Sequence, residues 1–379
     1  VRWNQLRDRT AQILAEYGVG ASPDDVVREL RQSDRTMLAI ARALQDSSGD
    51  DRRILFLDEP TAALPKAEVE MLHGQIRALR SRGHTVVLVS HRLGEVVELA
   101  DALTVLRDGR HVVTRTAADV DENTLAKLIV GGARESALLR DKRKVGGDAV
   151  LTVDGLRGGV VRNVSFEVHE GEILGLAGLL GSGRTELLEL LSGQKAATSG
   201  TLTIDGELQR FSHPKDAIRA GVARVPEDRL GDGVFSDMSI AENLSAAKLR
   251  TFFRFPAIDR RRERAHADEI VRGPLRIKAA SHLCALWTLS GGNQQKVVVG
   301  RWLAIDPRVL LLDEPTQGVD VGARVELHDQ LRAAADRGVA VVVVSSDFEE
   351  LAALADRVLV MSEGTVVSEV GGDEVTPDR

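Results

Sequence analysis

A chain of 379 residues has room for roughly two to three domains, and 43% hydrophobic residues suffice to fill ordinary cores. A net charge of -7 argues against a nucleic-acid binder held by overall charge, and Cys284, the only cysteine, excludes an intrachain disulfide and suits a reducing compartment. No apolar run approaches the roughly 18 residues that suggest a membrane span, and the opening VRWNQLRDRT has no signal-peptide core.

The chain begins with Val rather than Met, a hint that the natural N-terminus lies elsewhere. Residues 3–18 read as a polar helix, and 24–44 hold a second helical stretch ending MLAIARAL. Residues 54–57 form a short apolar strand followed by Asp58-Glu59-Pro60. A helix over 69–79, a strand over 86–90 ahead of His91 and a helix over 94–100 follow. A hairpin over 103–113 turns at Asp108-Gly109, a strong turn pair. Residues 117–147 hold a short helix and then the charged run RDKRKVGGD, which reads as a linker.

Beyond the linker, 150–168 alternates as strands do, and a strand over 172–177 runs into GLLGSGRT (178–185) and a helix over 186–191. A hairpin turns at Asp205-Gly206. Pro214 opens a short helix that Gly221 ends, and a strand over 222–225 leads to Pro226-Glu227-Asp228-Arg229. Residues 239–280 read as mostly helical. The stretch LSGGNQQKVVVGRWLAIDPRVLLLDEPTQG (289–318) then joins a glycine-rich turn, an amphipathic helix, a buried strand and an acidic pair. Its small residues and the helix after them make a plausible phosphate contact.

The decisive pattern is an internal repeat. ILFLDEPTAAL at 54–64 lies over VLLLDEPTQGV at 309–319, an offset of 255 (309 − 54). The same offset sets Ser90-His91 over Ser345-Ser346, Asp101 over Asp356 and Gly109 over Gly364. Upstream the offset is 259 (289 − 30), placing Leu30-Arg31-Gln32-Ser33-Asp34 over Leu289-Ser290-Gly291-Gly292-Asn293 and Arg42 over Arg301. The chain therefore reads as two copies of one domain, the first lacking everything that matches 148–259.

Gly178 to Thr185 fits G-x-x-x-x-G-[KR]-T between a strand and a helix, where a phosphate-binding loop belongs. Gly178, Gly181 and Gly183 let backbone amides curl around phosphates, with Ser182 among them, and Thr185 can ligate magnesium. Arg184 stands where Lys is usual, exchanging a compact ammonium for a planar fork. The rival is a bland strand–helix turn; the acidic strand 128 residues later (313 − 185) weighs against it. Asp313 and Glu314 end that strand as a magnesium-organising Asp and a water-polarising Glu would. A solvated strand end is the plainer alternative, and the recurrence at Asp58-Glu59 counters it. His91 is placed to sense a terminal phosphate; in the second copy the position is Ser346. The RRRER run (260–264) reads as a solvated helix face.

On these residues the chain resembles the tandem ATP-binding subunits of ABC importers over essentially its whole length. LSGGNQQKVVVGRWL, LDEPTQGVDVGA, GSGRTE and VPEDR are similar to the second cassette of monosaccharide importers of the ribose, galactose, xylose and arabinose type. Purine-nucleoside importers are close relatives, and Gln294-Gln295 with Trp302 favour sugars. The resemblance implies an α/β fold of two P-loop NTPase cassettes, mixed sheets plus helical subdomains, the first incomplete. Residues 1–134 would be the partial first cassette, 135–147 the linker and 148–379 the second cassette.

The resemblance further implies ATP and Mg2+ as cofactors and an ATPase that drives monosaccharide import. Transmembrane permease subunits would be the partners, with an indirect link to a periplasmic or extracellular sugar-binding protein and no nucleic acid. The place would be peripheral, on the cytoplasmic face of the cell membrane. Gly178, Gly181, Ser182, Gly183, Arg184 and Thr185 would hold phosphates and metal, Asp313 would order the metal and Glu314 would polarise water. Glu227 stands at the Q-loop position. Ser290, Gly291, Gly292, Asn293 and Gln294 would close over a nucleotide held by the first cassette, whose own set would be Asp58, Glu59 and His91, with Asp58 on the metal.

Departures from the family pattern matter. The first composite site has Glu59, His91 and an intact LSGGN but no P-loop. The second has Arg184, Ser346 and a signature reduced to LRQSD. An N-terminally truncated gene product is one expectation. The alternative function is a nucleotide-binding but non-hydrolysing truncated or regulatory pseudo-cassette protein. Without the P-loop strand, the apolar strands at 54–57 and 86–90 should leave an uncovered sheet face prone to aggregation.

Overall fold

The computed structural model describes residues 2–30, 32–44, 52–61, 66–90, 92–107, 109–130, 146–179, 181–273 and 275–376. The chain divides into two units, Val1–Gly132 and Ala133–Arg379. Of the expected linker, 135–145 falls outside the described residues, as do Arg31 and His91.

The first unit runs α1 (Trp3–Glu16), a 3-10 turn (Val27–Glu29), α2 (Gln32–Leu44), β1 (Ile54–Asp58), α3 (Lys66–Ser81), β2 (Thr85–Val89) and α4 (Leu93–Leu99). A hairpin of β3 (Ala102–Arg107) and β4 (Arg110–Thr116) and then α5 (Glu122–Val130) complete it. The helix expected over 24–44 starts only at Gln32. Asp25 folds back locally, its carboxylate accepting from the Ser22 amide at 2.7 Å, and Val26 and Leu30 are extended. Such a turn competes with helix for the same backbone groups.

β1 and β2 pair in parallel, Ile54 opposite Thr85 through Asp58 opposite Val89. One face buries Leu55 and Leu57 against Leu14, Met37, Ile40, Leu72 and Ile76. The other face shows Ile54, Phe56 and Val89 at 65%, 74% and 52% exposure. The uncovered apolar face expected from the sequence is therefore present. A second, smaller core of Leu103, Val105, Val120 and Leu125 holds the hairpin to α5.

The second unit opens with an antiparallel sheet in the order β6-β5-β8-β9, from β5 (Ala149–Gly158), β6 (Val161–His169), β8 (Ser199–Ile204) and β9 (Glu207–Gln209). Its centre is a six-stranded sheet, β10-β13-β14-β7-β15-β16. These strands are β7 (Ile173–Gly178), β10 (Val222–Val225), β13 (Val309–Asp313), β14 (Ala340–Val344), β15 (Arg357–Ser362) and β16 (Thr365–Gly371), and only β16 is antiparallel. VLLLD and AVVVV are buried at every position, as strands covered on both faces must be.

α6 (Arg184–Leu191) packs in the core on one side of this sheet, while α11 (Val321–Asp336) and α12 (Phe348–Leu354) cover the other. α7 (Pro214–Arg219) precedes β10. A helical cluster comprises α8 (Ile240–Ser245), α9 (Arg260–Arg272) and the start of α10 (Gly291–Leu303), around Ile240, Leu244, Val271, Leu286 and Val297. The region expected to be mostly helical over 239–280 is interrupted by a short ladder, β11 (Phe253–Arg254) with β12 (Ala257–Ile258). Pro256 sits in its turn, and its ring and missing N–H bar a helix interior there.

Element bounds recur between the units. β1, α3, β2, α4, β3 and β4 each match β13, α11, β14, α12, β15 and β16 end for end at the 255 offset, and α2 matches α10 at 259.

Candidate functional site

β7 is buried along its length up to Gly178, so the turn after it is anchored on a rigid strand. Gly178 has φ of 155°, and a Cβ there would lie 2.5 Å from the Met361 carbonyl and 2.7 Å from Ser182 Oγ. Only glycine lets the chain pass. Gly183 takes φ of 97° and caps α6 without any side-chain cap bond, leaving first-turn amides directed at the turn. The turn is held from behind, where the Gly364 amide donates to the Ser182 carbonyl at 2.9 Å. Ser182 Oγ is buried with no hydrogen-bond partner, a donor within a cradle of glycines. Leu180 lies outside the described residues.

β13 delivers the acidic pair to the same place. Asp313 is fully buried, and Thr185 Oγ1 donates to its Oδ1 at 3.2 Å. Burial pushes the Asp313 carboxyl up, opposed by the charge and hydrogen bond of Arg224. Glu314 adopts the left-handed region (φ 45°), with its amide on the Val344 carbonyl at 2.9 Å. Its Oε2 accepts from the Ser346 amide (3.0 Å) and hydroxyl (3.1 Å). Burial raises this carboxyl too, opposed by Ser346 and Arg184. Arg184 is itself buried, donating to the Ser345 carbonyl at 2.8 Å and lying 3.6 Å from Glu314 Oε1.

Behind the pair sits Glu350, which is 2% exposed and accepts from Ser345 Oγ at 2.6 Å, with His328 Nε2 at 3.0 Å. Burial alone would raise its carboxyl, but the hydrogen bonds of His328, Ser345 and Thr316 hold it below the usual range. The same brace stands in the first unit. Glu95 Oε2 accepts from Thr61 at 2.7 Å and Ser90 at 3.3 Å, and Glu59 has φ of 47° with its amide on the Val89 carbonyl. Asp58 ends β1 beside it.

The expected signature residues have varied surroundings. Ser290 caps α10 and accepts from Asn293 Nδ2 at 3.0 Å. Gly292 is a packing glycine, since a Cβ there would sit 2.4 Å from that of Ala323 on α11. A Cβ on Gly291 would meet the Arg229 guanidinium at 3.1 Å. Gln294 points inward, its amide donating to the Leu289 carbonyl at 3.1 Å, so it braces the turn. Glu227, just beyond β10, is exposed.

Sequence reasoning passed over Arg224. It is the only polar residue in VARV, yet its Nη2 donates to Asp313 Oδ2 at 3.2 Å. A nucleotide's phosphates fit this site, given the glycine cradle, the unpartnered Ser182 hydroxyl and the open helix end. A magnesium ion fits less well. Thr185 and Asp313 offer the oxygen donors a hard cation takes, but a guanidinium already rests on the same carboxylate.

Known proteins carry the same pattern. The ABC transporter family model matches residues 161–317. The ribose import ATP-binding protein RbsA 2 of Rhizobium meliloti is 43% identical over 375 residues, covering 98% of this chain and 72% of that protein. The chain belongs to the ABC transporter ATP-binding family. The ribose import ATP-binding protein RbsA of Chelativorans sp. is 42% identical, covering all of this chain and 74% of that protein. Among solved structures, a nucleotide-free ATP-binding cassette from an ABC transporter aligns with a TM-score of 0.52 at 20% identity, over 60% of this chain and 93% of that one. The fold is the α/β P-loop cassette fold. Among the described residues no helix is long and apolar enough to cross a membrane.

Proposed function

We propose that this chain is the ATP-binding, ATP-hydrolysing subunit of an ABC importer that carries a monosaccharide of the ribose class. The observation that carries this reading is the junction of two elements far apart in sequence. The Gly178–Thr185 turn and the Asp313–Glu314 strand end meet through the Thr185–Asp313 hydrogen bond. The names of the relatives supply the transported class.

In this reading Gly178, Gly181, Ser182 and Gly183 bind phosphates, with Arg184 as the nearby cation. Glu314, oriented by Ser346, polarises the attacking water. A magnesium ion, where held, would supply charge neutralisation beside the phosphates. Thr185, Asp313 and, in the first unit, Asp58 are its expected donors, and Arg224 competes for Asp313. Membrane-embedded permease subunits are the proposed partners, reached from the cytoplasmic face, with a sugar-binding protein delivering substrate beyond them.

We further propose that Val1–Gly132 is part of an incomplete first cassette, with 1–134, 135–147 and 148–379 as partial first cassette, linker and second cassette. The coincident element bounds and the repeated Thr–Ser–Glu brace support this. Asp58, Glu59 and His91 are then the first cassette's set, and Ser290 to Asn293 present a helix N-terminus to a nucleotide, with Gln294 bracing it from inside.

One observation favours a second reading, nucleotide binding without hydrolysis. Arg184 is tied to Ser345 and Glu314, which pulls the loop's cation onto the carboxylate meant for water. The purified full chain decides between them. Magnesium-ATP turnover that disappears in the Glu59→Gln/Glu314→Gln double variant supports the import ATPase. Tight ATP binding with no turnover supports the second reading, and no ATP binding at all sinks both.

A further inference from the structure

Arg224 is held at both terminal nitrogens of its guanidinium. Its side chain is 11% exposed, Nη2 lies 3.2 Å from Asp313 Oδ2, and Nη1 donates to Gln194 Oε1. Its Nε is buried and has no hydrogen-bond partner. Asp313, with 0% of its side chain exposed, has its other oxygen taken by the Thr185 hydroxyl. Both oxygens are thus engaged by donors of this chain. A buried carboxylate stays ionised only with a countercharge or hydrogen-bond donors, because desolvation favours its neutral form. When such an Asp organises magnesium, the ion provides that charge. Here a guanidinium provides it.

We propose that Arg224 takes over the countercharge role of a divalent cation at Asp313, so that the second unit binds nucleotide with little dependence on magnesium. The inference rests on reading Gly178–Thr185 as the phosphate site and adds to it a rule for how that site is charged. A magnesium ion on Asp313 would stand beside Arg224, and two cations sharing one buried carboxylate repel strongly at low dielectric. Arg224 cannot move aside without uncovering Asp313 and giving up Gln194. Arg224 is thus a positioning residue that sets the cofactor requirement.

The test is the ratio of ATP dissociation constants of the full chain in EDTA and in saturating magnesium, read by calorimetry. The wild-type ratio should stay within about threefold, and Arg224→Lys, which keeps a cation, should match it. Arg224→Gln should raise the ratio to about tenfold or more, as Asp313 turns to magnesium for its charge. A wild-type ratio of about tenfold or more overturns the proposal, and this measurement needs no variant to fold. An unchanged ratio in a folded Arg224→Gln protein, checked by its melting curve, overturns it as well. Absence of ATP binding in both conditions refutes the phosphate-site reading itself, a distinct result.

Discussion

Glu350 is the buried group on which the strand-end geometry depends. Replacing it with Ala leaves the Ser345 hydroxyl, the His328 ring and Thr316 without their acceptor. Each buried donor left unpaired costs about 1–3 kcal/mol, and such losses within one network do not add fully. With three donors losing their acceptor, we expect about 4 kcal/mol for Glu350→Ala. Glu350→Gln keeps the size and one acceptor, and about 1–2 kcal/mol is expected. Urea unfolding followed by tryptophan fluorescence measures this. Trp287 and Trp302 report the second unit once Trp3 is replaced by Phe, which removes the remaining tryptophan. At a slope of about 2–3 kcal/mol per molar urea, the Ala variant's midpoint should drop by about 1.5 M.

The pH dependence has a definite sign. The folded Glu350 carboxyl is held below its ordinary value of 4.5. Its stabilisation is therefore complete above that pH and is lost as pH falls through the folded value. The gap between wild type and Glu350→Gln should narrow below pH 4.5. A midpoint drop under about 0.4 M for the Ala variant, or a gap that widens on acidification, refutes the reasoning.

Three further outcomes follow from single contacts. Gly178→Ala places a methyl 2.5 Å from the Met361 carbonyl, so ATP affinity measured by calorimetry should fall at least about tenfold, with about 2–3 kcal/mol lost from stability. Phe56→Lys on the exposed face of β1 should change stability by less than about 0.5 kcal/mol yet lower light scattering at high protein concentration. Gly292→Ala overpacks α10 on α11 and should cost about 1–3 kcal/mol in urea unfolding. Adding Ala323→Gly should restore part of that loss, as a double-mutant cycle would show.

Much of this was legible because the determining features are local. A continuous apolar run such as VLLLD marks a buried strand, and the glycines of 178–183 mark a turn that side chains would block. The internal repeat set the acidic strand ends of the two units in one register. What escaped were pairings across long sequence distances and the direction of individual side chains. Arg224 looked like one polar residue in a strand, and nothing local tied it to Asp313. Gln294 lies in a motif yet turns inward. The position of Ala323, two elements away, decides why residue 292 is glycine. The ladder at 253–258 was lost because two-residue strands carry too little periodicity to register.

The sharpest contrast is between two strands of nearly one sequence. ILFLD and VLLLD both read as apolar strands, and both end in an acidic pair with the glutamate in the left-handed region. VLLLD has strands on either side and is buried at every residue, whereas ILFLD, among the described residues, pairs with one strand and buries alternate residues. Yet the brace behind the pair persists in both, Thr61 and Ser90 on Glu95 as Thr316 and Ser345 on Glu350. One partner is exchanged, with Arg92 on Glu95 where His328 sits on Glu350. The same hydrogen-bonded brace thus accompanies the strand-end geometry whether or not the strand is covered on both faces. An acidic pair presented in this way recurs in both units; what it can do chemically depends on whether a phosphate turn faces it, as Gly178–Thr185 faces Asp313.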